Sequence, residues 1–227
     1  MMTYTIYGYK NNPRTRLIRV VAAAQGIHLD ELEVIPRKNV NRDLLIEKFP
    51  MSAGKIPALE GPDIKLTETV AIALYLAKTG EKRGLLGDGS VQEEALVMSW
   101  MSWSNQELLV ILARWFLPLI PNFSSPAPYN REAIEAGKQA SLTLLEKLES
   151  SLSGKKFLVG NSITLADIFV CIMLSRGLEW VLGEEWRRAH ANCMRHFNMM
   201  REWGPVKEVI PGFVLIKEET PNVDPYA

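Results

Sequence analysis

Apolar positions along the chain follow two different periods. Residues 3–7 alternate and are rich in β-formers, Asn11-Asn12-Pro13 interrupts them, and residues 14–25 carry apolar side chains three and four apart before Gly26. This pattern predicts strand, loop and helix. Residues 31–35 predict a second strand, 43–49 a short helix, and 55–59 with 64–66 two strands around the turn 60–63; a helix then runs from Thr67 to about Thr79. The turn between the last two strands is too short for a parallel crossover. The order therefore implies a small α/β layer with mixed strand directions.

Gly84, Gly87 and Gly89 fall in the segment 84–90 and break the periodicity on both sides of it. We expect residues 1–83 to form a first domain, 84–90 a linker and 91–227 a second, all-helical domain. The reason is that 91–116, 131–152, 164–182 and 184–203 all show apolar residues at helical spacing. Thr164, followed by Asp167 three residues on, has the form of a helix-capping pair.

With 227 residues the chain is long enough for one large or two small domains, each with a real core. Hydrophobic residues at 47% and charged residues at 23% match ordinary globular proteins and exclude disordered, collagenous and low-complexity classes. Lys and Arg total 26 and so do Asp and Glu, so no global field attracts nucleic acid or an anionic membrane, and neither partner is expected. Cys171 and Cys193 lack the spacing of a disulfide framework or a zinc site. The first residues carry no secretory signal, and no apolar stretch approaches the ~18 residues of a membrane span. A cytoplasmic protein is the expectation.

Common catalytic templates are missing: there is no dinucleotide fingerprint, no Walker loop and no nucleophile elbow. His190, Cys193 and His196 are spaced by three, which points the first and last roughly 120° apart on a helix, so no metal site is expected. Trp100, Trp103 and Trp115, with Met98 and Met101, read as core. The stripe Ser99, Ser102 and Gln106 on the same helix is not required by packing and suits the border of a pocket for an apolar ligand.

Lys55-Ile56-Pro57 is followed, eleven residues after the proline, by Glu68-Thr69 at a helix start. A cis peptide before Pro57 would turn the backbone of Ile56 outward to read an extended peptide. A helix N-terminus attracts carboxylates, a Thr hydroxyl adds a donor, and a Glu beside it can hold an ammonium, so the pair could take an amino-acid zwitterion. An edge-strand proline and an ordinary helix cap fit the same local pattern.

Taken together, Lys55-Ile56-Pro57, Glu68-Thr69, the glycine-bearing linker and Ser162-Ile163-Thr164-Leu165-Ala166-Asp167 resemble the glutathione transferase superfamily over nearly the whole chain. The segments 65–72 and 183–187, with His190 after them, look most like the branch containing the transferase domain of translation elongation factor 1 gamma and similar fungal transferases, some of them in secondary-metabolite pathways. The resemblance implies a thioredoxin-like N-terminal domain with a mixed four-stranded sheet and a helical-bundle C-terminal domain. It also implies a two-fold homodimer and glutathione as co-substrate or catalyst, with no metal. Ile56 before Pro57 would pair with the cysteinyl backbone of glutathione. Glu68 and Thr69 would hold the γ-glutamyl end, Lys55 the glycyl carboxylate, and Asn41 would be a further carboxylate contact.

In that family the thiolate is stabilised by a Tyr ending the first strand, or by a Ser or Cys at the start of the first helix. Ungapped alignment puts Gly8 and Asn11 at those places. The expected donors are therefore Asn11, through its amide, and Tyr9, the nearest phenol, while Tyr7 is expected to face the core. Arg14 and Arg16 could add positive potential or be a solvated face. Trp103, Gln106 and Arg114, with the loop 118–129, are expected to shape the acceptor pocket. Two functions follow from the resemblance. One is an enzyme presenting the glutathione thiolate to a small apolar electrophile, for conjugation or for double-bond isomerisation. The other is a non-catalytic interaction domain of the elongation-factor type.

Overall fold

The computed structural model describes residues 3–82, 84–120 and 128–227. The first domain runs β1 (Tyr4–Gly8), α1 (Pro13–Gln25), β2 (Leu29–Glu33), α2 (Arg42–Lys48), β3 (Ala58–Glu60), β4 (Lys65–Thr67) and α3 (Thr69–Thr79). The strands form one mixed sheet in the order β2-β1-β3-β4, with β1 and β2 parallel and the other two pairings antiparallel. Alternation along β1 divides its side chains between the two faces. Tyr4 and Ile6 join the large core with α1 and α3, whereas Tyr7 packs on the other face with Val34, Leu45, Phe49 and Ala58. Tyr7 donates its hydroxyl proton to Glu60 and accepts from Lys48 at 2.9 Å, which occupies the phenol fully.

The second strand lies earlier than the predicted 31–35. Both faces of β2 are partly open at the sheet edge, so its own residues carry little apolar signal. The buried Val34 that dominates the pattern sits just beyond the strand and donates its N–H to Gly8. Helix α1 starts as Asn12-Pro13 dictates: the Asn12 carboxamide oxygen accepts from the N–H groups of Arg14 and Thr15, and Pro13 needs no partner for a missing N–H. Gly26, at φ 68°, ends it in the left-handed conformation that glycine tolerates.

Residues 84–90 lead into the helical part, where the carbonyl of buried Leu85 accepts from Leu165 at 2.8 Å. There follow α4 (Val91–Trp103), a π-helical turn at Ser104–Leu108, α5 (Leu109–Phe116), α6 (Arg131–Ser151), α7 (Leu165–Trp180), α8 (Glu184–Ala189), α9 (Ala191–Glu202) and α10 (Gly204–Val209). Helix α7 is the hub, buried from Leu165 through Leu178. Its start carries the predicted cap. Asp167 accepts from the N–H of Thr164 at 2.9 Å, and its second oxygen accepts from Leu158 and faces His196. Helix α1 packs on α7 and α10, so one apolar core runs through both domains.

Two predicted helices are interrupted. The single helix expected over 184–203 breaks at His190, whose backbone leaves the helical region and whose ring stacks on Trp186 at 4.1 Å. The helix expected over 91–116 holds a wider turn, in which the N–H of Leu109 bonds to Ser104 five residues back.

Candidate active site

A cavity of about 500 Å³ opens between the sheet domain and the helices. Lys55, Ile56, Pro57, Glu68 and Thr69, from two separate segments, line its first-domain side. The Ile56–Pro57 peptide bond is cis, and Ile56 lies two residues before the start of β3. Glu68 holds the N-cap position of α3 at φ 68° and ψ 117°, a backbone state that costs a residue with a side chain. It sets an exposed carboxylate at the rim and gives no side-chain cap to the helix. The first N–H groups of α3 are thus left for an anion, with buried Thr69 as the first helical residue. A carboxylate beside a free helix N-terminus suits an ammonium and a carboxylate carried on one carbon.

Asn41 does not line this cavity. Its side chain donates to the carbonyl of Glu33 at 2.8 Å, which braces the turn into α2.

At the mouth of β1, Gly8 is buried against Thr15, and an added Cβ would lie 3.0 Å from the Thr15 methyl. A larger residue would displace the Thr15 side chain. Tyr9 lines the cavity and Asn11 does not: Asn11 is exposed and accepts from Arg16 at 3.3 Å. The neighbouring Asn12 lines it instead. Because its carboxamide oxygen caps α1, its amide nitrogen is the donor left for the cavity. The signal was in the sequence, since an Asn followed by Pro is an N-cap with Pro at the first helical position.

Arg14 reaches across to the second domain. Its Nε donates to the Asn105 side chain at 2.7 Å and its Nη2 to the Asn105 carbonyl at 3.1 Å. Burial lowers its pKa and nearby Glu68 opposes the shift. This guanidinium lines the cavity and its bonded partners, the Asn105 carboxamide and carbonyl, are neutral, so it adds positive potential there. Arg16 turns away and pairs with Glu179.

The helical side is lined by Asn105, Leu109, Ala113, Phe116, Leu117 and Arg176. Trp103, Gln106 and Arg114 stand elsewhere. Trp103 packs edge-on to Trp100, with centroids 5.2 Å apart, while Gln106 and Arg114 are exposed. The face turned to the first domain instead carries Asn105, Leu109, Ala113 and Phe116, three and four residues apart, which leaves Gln106 and Arg114 one position off it and on the solvent side. Of the loop 118–129, residues 121–127 lie outside the described residues.

Among the described residues no cluster of three metal-ligating side chains occurs. His190 faces Glu146 at 3.0 Å, and burial pushes the Cys193 thiol up from its ordinary range. Cys171, free and buried inside α7, is pushed up in the same way.

A thioredoxin-like sheet domain, an all-helical domain and a polar cavity between them define a transferase-type fold. Residues 2–78 match the glutathione S-transferase N-terminal domain and residues 110–202 the C-terminal domain. The chain belongs to the glutathione S-transferase family. It is 33% identical to glutathione S-transferase stcT of Emericella nidulans, covering 97% of this chain and 98% of that one. To glutathione S-transferase psoE of Aspergillus fumigatus it is 32% identical, covering 96% and 88%. Among solved structures, the GST-like domain of elongation factor 1-gamma from Saccharomyces cerevisiae superposes with a TM-score of 0.80 at 26% identity, covering 97% of this chain and 99% of that one.

Proposed function

We propose that this protein is a glutathione transferase that holds the tripeptide along Lys55, Ile56, Glu68 and Thr69 and presents its thiolate to an apolar electrophile. The convergence of these residues on one cavity, with Glu68 held at a costly backbone angle at the free N-terminus of α3, carries the reading. The sulfur would lie near the start of α1, where the Asn12 amide and the phenol of Tyr9 are the available donors and Arg14 supplies positive charge. A donor aimed at the sulfur favours the anion over the thiol, whose ordinary pKa is about 8.5.

Two outcomes share the first step, in which a sulfur electron pair forms a C–S bond and the electrons of a conjugated double bond move onto its acceptor group. Protonation of the resulting carbanion gives a conjugate. Rotation about the new single bond and expulsion of the thiolate gives the geometric isomer, with glutathione regenerated. A place in fungal secondary metabolism and in a reducing cytoplasm belongs to the same proposal, and the two buried free cysteines suit the latter. A two-fold homodimer is part of the same reading, and Met51, 89% exposed, is an apolar side chain available to such an interface. Incubation with glutathione and a conjugated enone, followed by chromatography of both conjugate and isomer, tests the reading. Neither product above the uncatalysed level would refute it.

The likeness to the elongation-factor domain favours a second reading, a docking module that binds glutathione weakly or not at all. Sedimentation of the chain with translation factors, against glutathione binding, separates the two.

A further inference from the structure

The helical side of the cavity is apolar except at two places, Asn105, which is occupied by Arg14, and Arg176. Arg176 is 4% exposed in the C-terminal third of α7, inside its continuously buried run, where a charge is costly without a partner. It has one bonded anion, Glu179, and shares it: Arg16 takes the other carboxylate oxygen at 2.7 Å. Two guanidiniums and one carboxylate leave an excess positive charge. The Nε of Arg176 is buried with no hydrogen-bond partner, and its guanidinium carbon lies 5.6 Å from the ring centre of Phe116, another cavity wall. Arg16 alone would suffice to tie Glu179 to the first domain, so joining the domains does not account for Arg176.

On the glutathione side the charges are already matched. Lys55, the α3 N-terminus and Glu68 answer the two carboxylates and the ammonium of the tripeptide, and Arg14 stands beside Glu68. Arg176 lies among Leu109, Ala113, Phe116 and Leu117, where the second substrate would sit.

We infer that Arg176 receives a carboxylate on the acceptor, so that the second substrate is an apolar, conjugated electrophile that bears one acidic group. This rests on the transferase reading for its chemistry, though not for its binding. The anion would complete a two-cation, two-anion cluster with Arg16 and Glu179 and neutralise the excess charge. Its apolar remainder would lie on Phe116 and Leu117 with the double bond toward Tyr9 and Asn12. A neutral ester of the same electrophile would leave the guanidinium uncompensated.

The test uses trans-β-benzoylacrylate and its methyl ester as electrophiles, and the saturated, unreactive β-benzoylpropionate as a binding probe, all with the full chain. Wild type should favour the acid over the ester in kcat/KM. In Arg176→Met, which keeps the stem and leaves Glu179 paired with Arg16, that ratio should fall about tenfold to a hundredfold, the range for a lost charge-assisted hydrogen bond. Arg176→Lys should recover part of it. Calorimetric affinity for β-benzoylpropionate should fall in parallel, while that for glutathione stays within about twofold of wild type, a span of only a few tenths of a kcal/mol. If glutathione fails to bind but β-benzoylpropionate binds in an Arg176-dependent way, the acid site stands and the transferase reading falls. Should Arg176→Met not fold, the wild-type preference and the Lys variant still decide. An acid-to-ester ratio that stays the same in the variants, β-benzoylpropionate binding without regard to Arg176, or a loss of glutathione affinity in its place would overturn the inference.

Discussion

Arg16 on α1 and Glu179 on α7 lie 2.7 Å apart, an ion pair that joins the sheet domain to the helical one. Their side chains are only 11% and 16% exposed, so solvent screens the pair little. Glu179→Gln would leave Arg16 and Arg176 facing each other without a carboxylate. We expect it to lower unfolding stability by about 3–5 kcal/mol, the usual effect of breaking a buried pair from one side. Urea unfolding checks this, and a loss below about 1 kcal/mol, typical of an exposed pair, would show the bridge to be solvated.

Asn12 combines two tasks, capping α1 through its oxygen and facing the cavity with its amide. Aspartate caps as well as asparagine does, so Asn12→Asp should leave stability within about 0.5 kcal/mol. It replaces a donor with an anion, however, and should raise the pKa of bound glutathione and lower kcat/KM at least about tenfold at neutral pH, with recovery as pH rises. Asn11→Ala, at an exposed position outside the cavity, should change kcat/KM by less than about twofold. The reverse ranking in a pH–rate profile would return the donor role to Asn11.

Glu68 sits at positive φ, where glycine carries no steric penalty. Glu68→Gly should therefore raise stability by up to about 1 kcal/mol, strain relief being partly offset by the freedom of glycine when unfolded. The same change should weaken glutathione binding, because it removes the carboxylate facing the ammonium. Parallel thermal unfolding and titration check it, and a loss of stability would show that the angle is not strained.

Glu149 on α6 caps α9 from outside. It accepts from the N–H groups of Asn192 at 2.9 Å and Cys193 at 2.8 Å. Burial pushes its pKa up, but hydrogen bonds from Cys193 and Asn192 outweigh this and leave it below the usual carboxylate range. A depressed folded pKa means stability that is full above the unfolded value of about 4.3 and lost as pH falls through the folded one. Glu149→Gln should thus cost about 1 kcal/mol at neutral pH, and the gap to wild type should close below about pH 4. A gap that stays constant into acid would show that the charge plays no part.

Element order was legible because the period of apolar residues switches cleanly after the linker, and because a cap such as Thr164 with Asp167 acts locally; the cap at Asn12-Pro13 carries the same kind of signal, which the apolar pattern alone reads only as an interruption. The clustering of Lys55, Ile56 and Pro57 with Glu68 and Thr69 was legible only through the family resemblance, since each segment alone also fits an edge-strand proline or an ordinary cap. The helical wall was not. Several helical positions there are partly exposed, and which of them faces the cavity is set by how α4 and α5 pack against the first domain, a long-range relation that periodicity cannot register. Arg176 was hidden for a different reason: an arginine in a mostly apolar helix gains meaning only when Arg16, 160 positions earlier in the chain, is seen to share the carboxylate of Glu179.

Calorimetric titration of reduced glutathione into the full chain tests the account most directly, run alongside Glu68→Ala and Thr69→Ala. The account predicts one site in the wild type and a fall in affinity of about tenfold or more in each variant, as lost charge-assisted contacts give. No heat of binding at millimolar glutathione, or equal affinity in all three proteins, would contradict it.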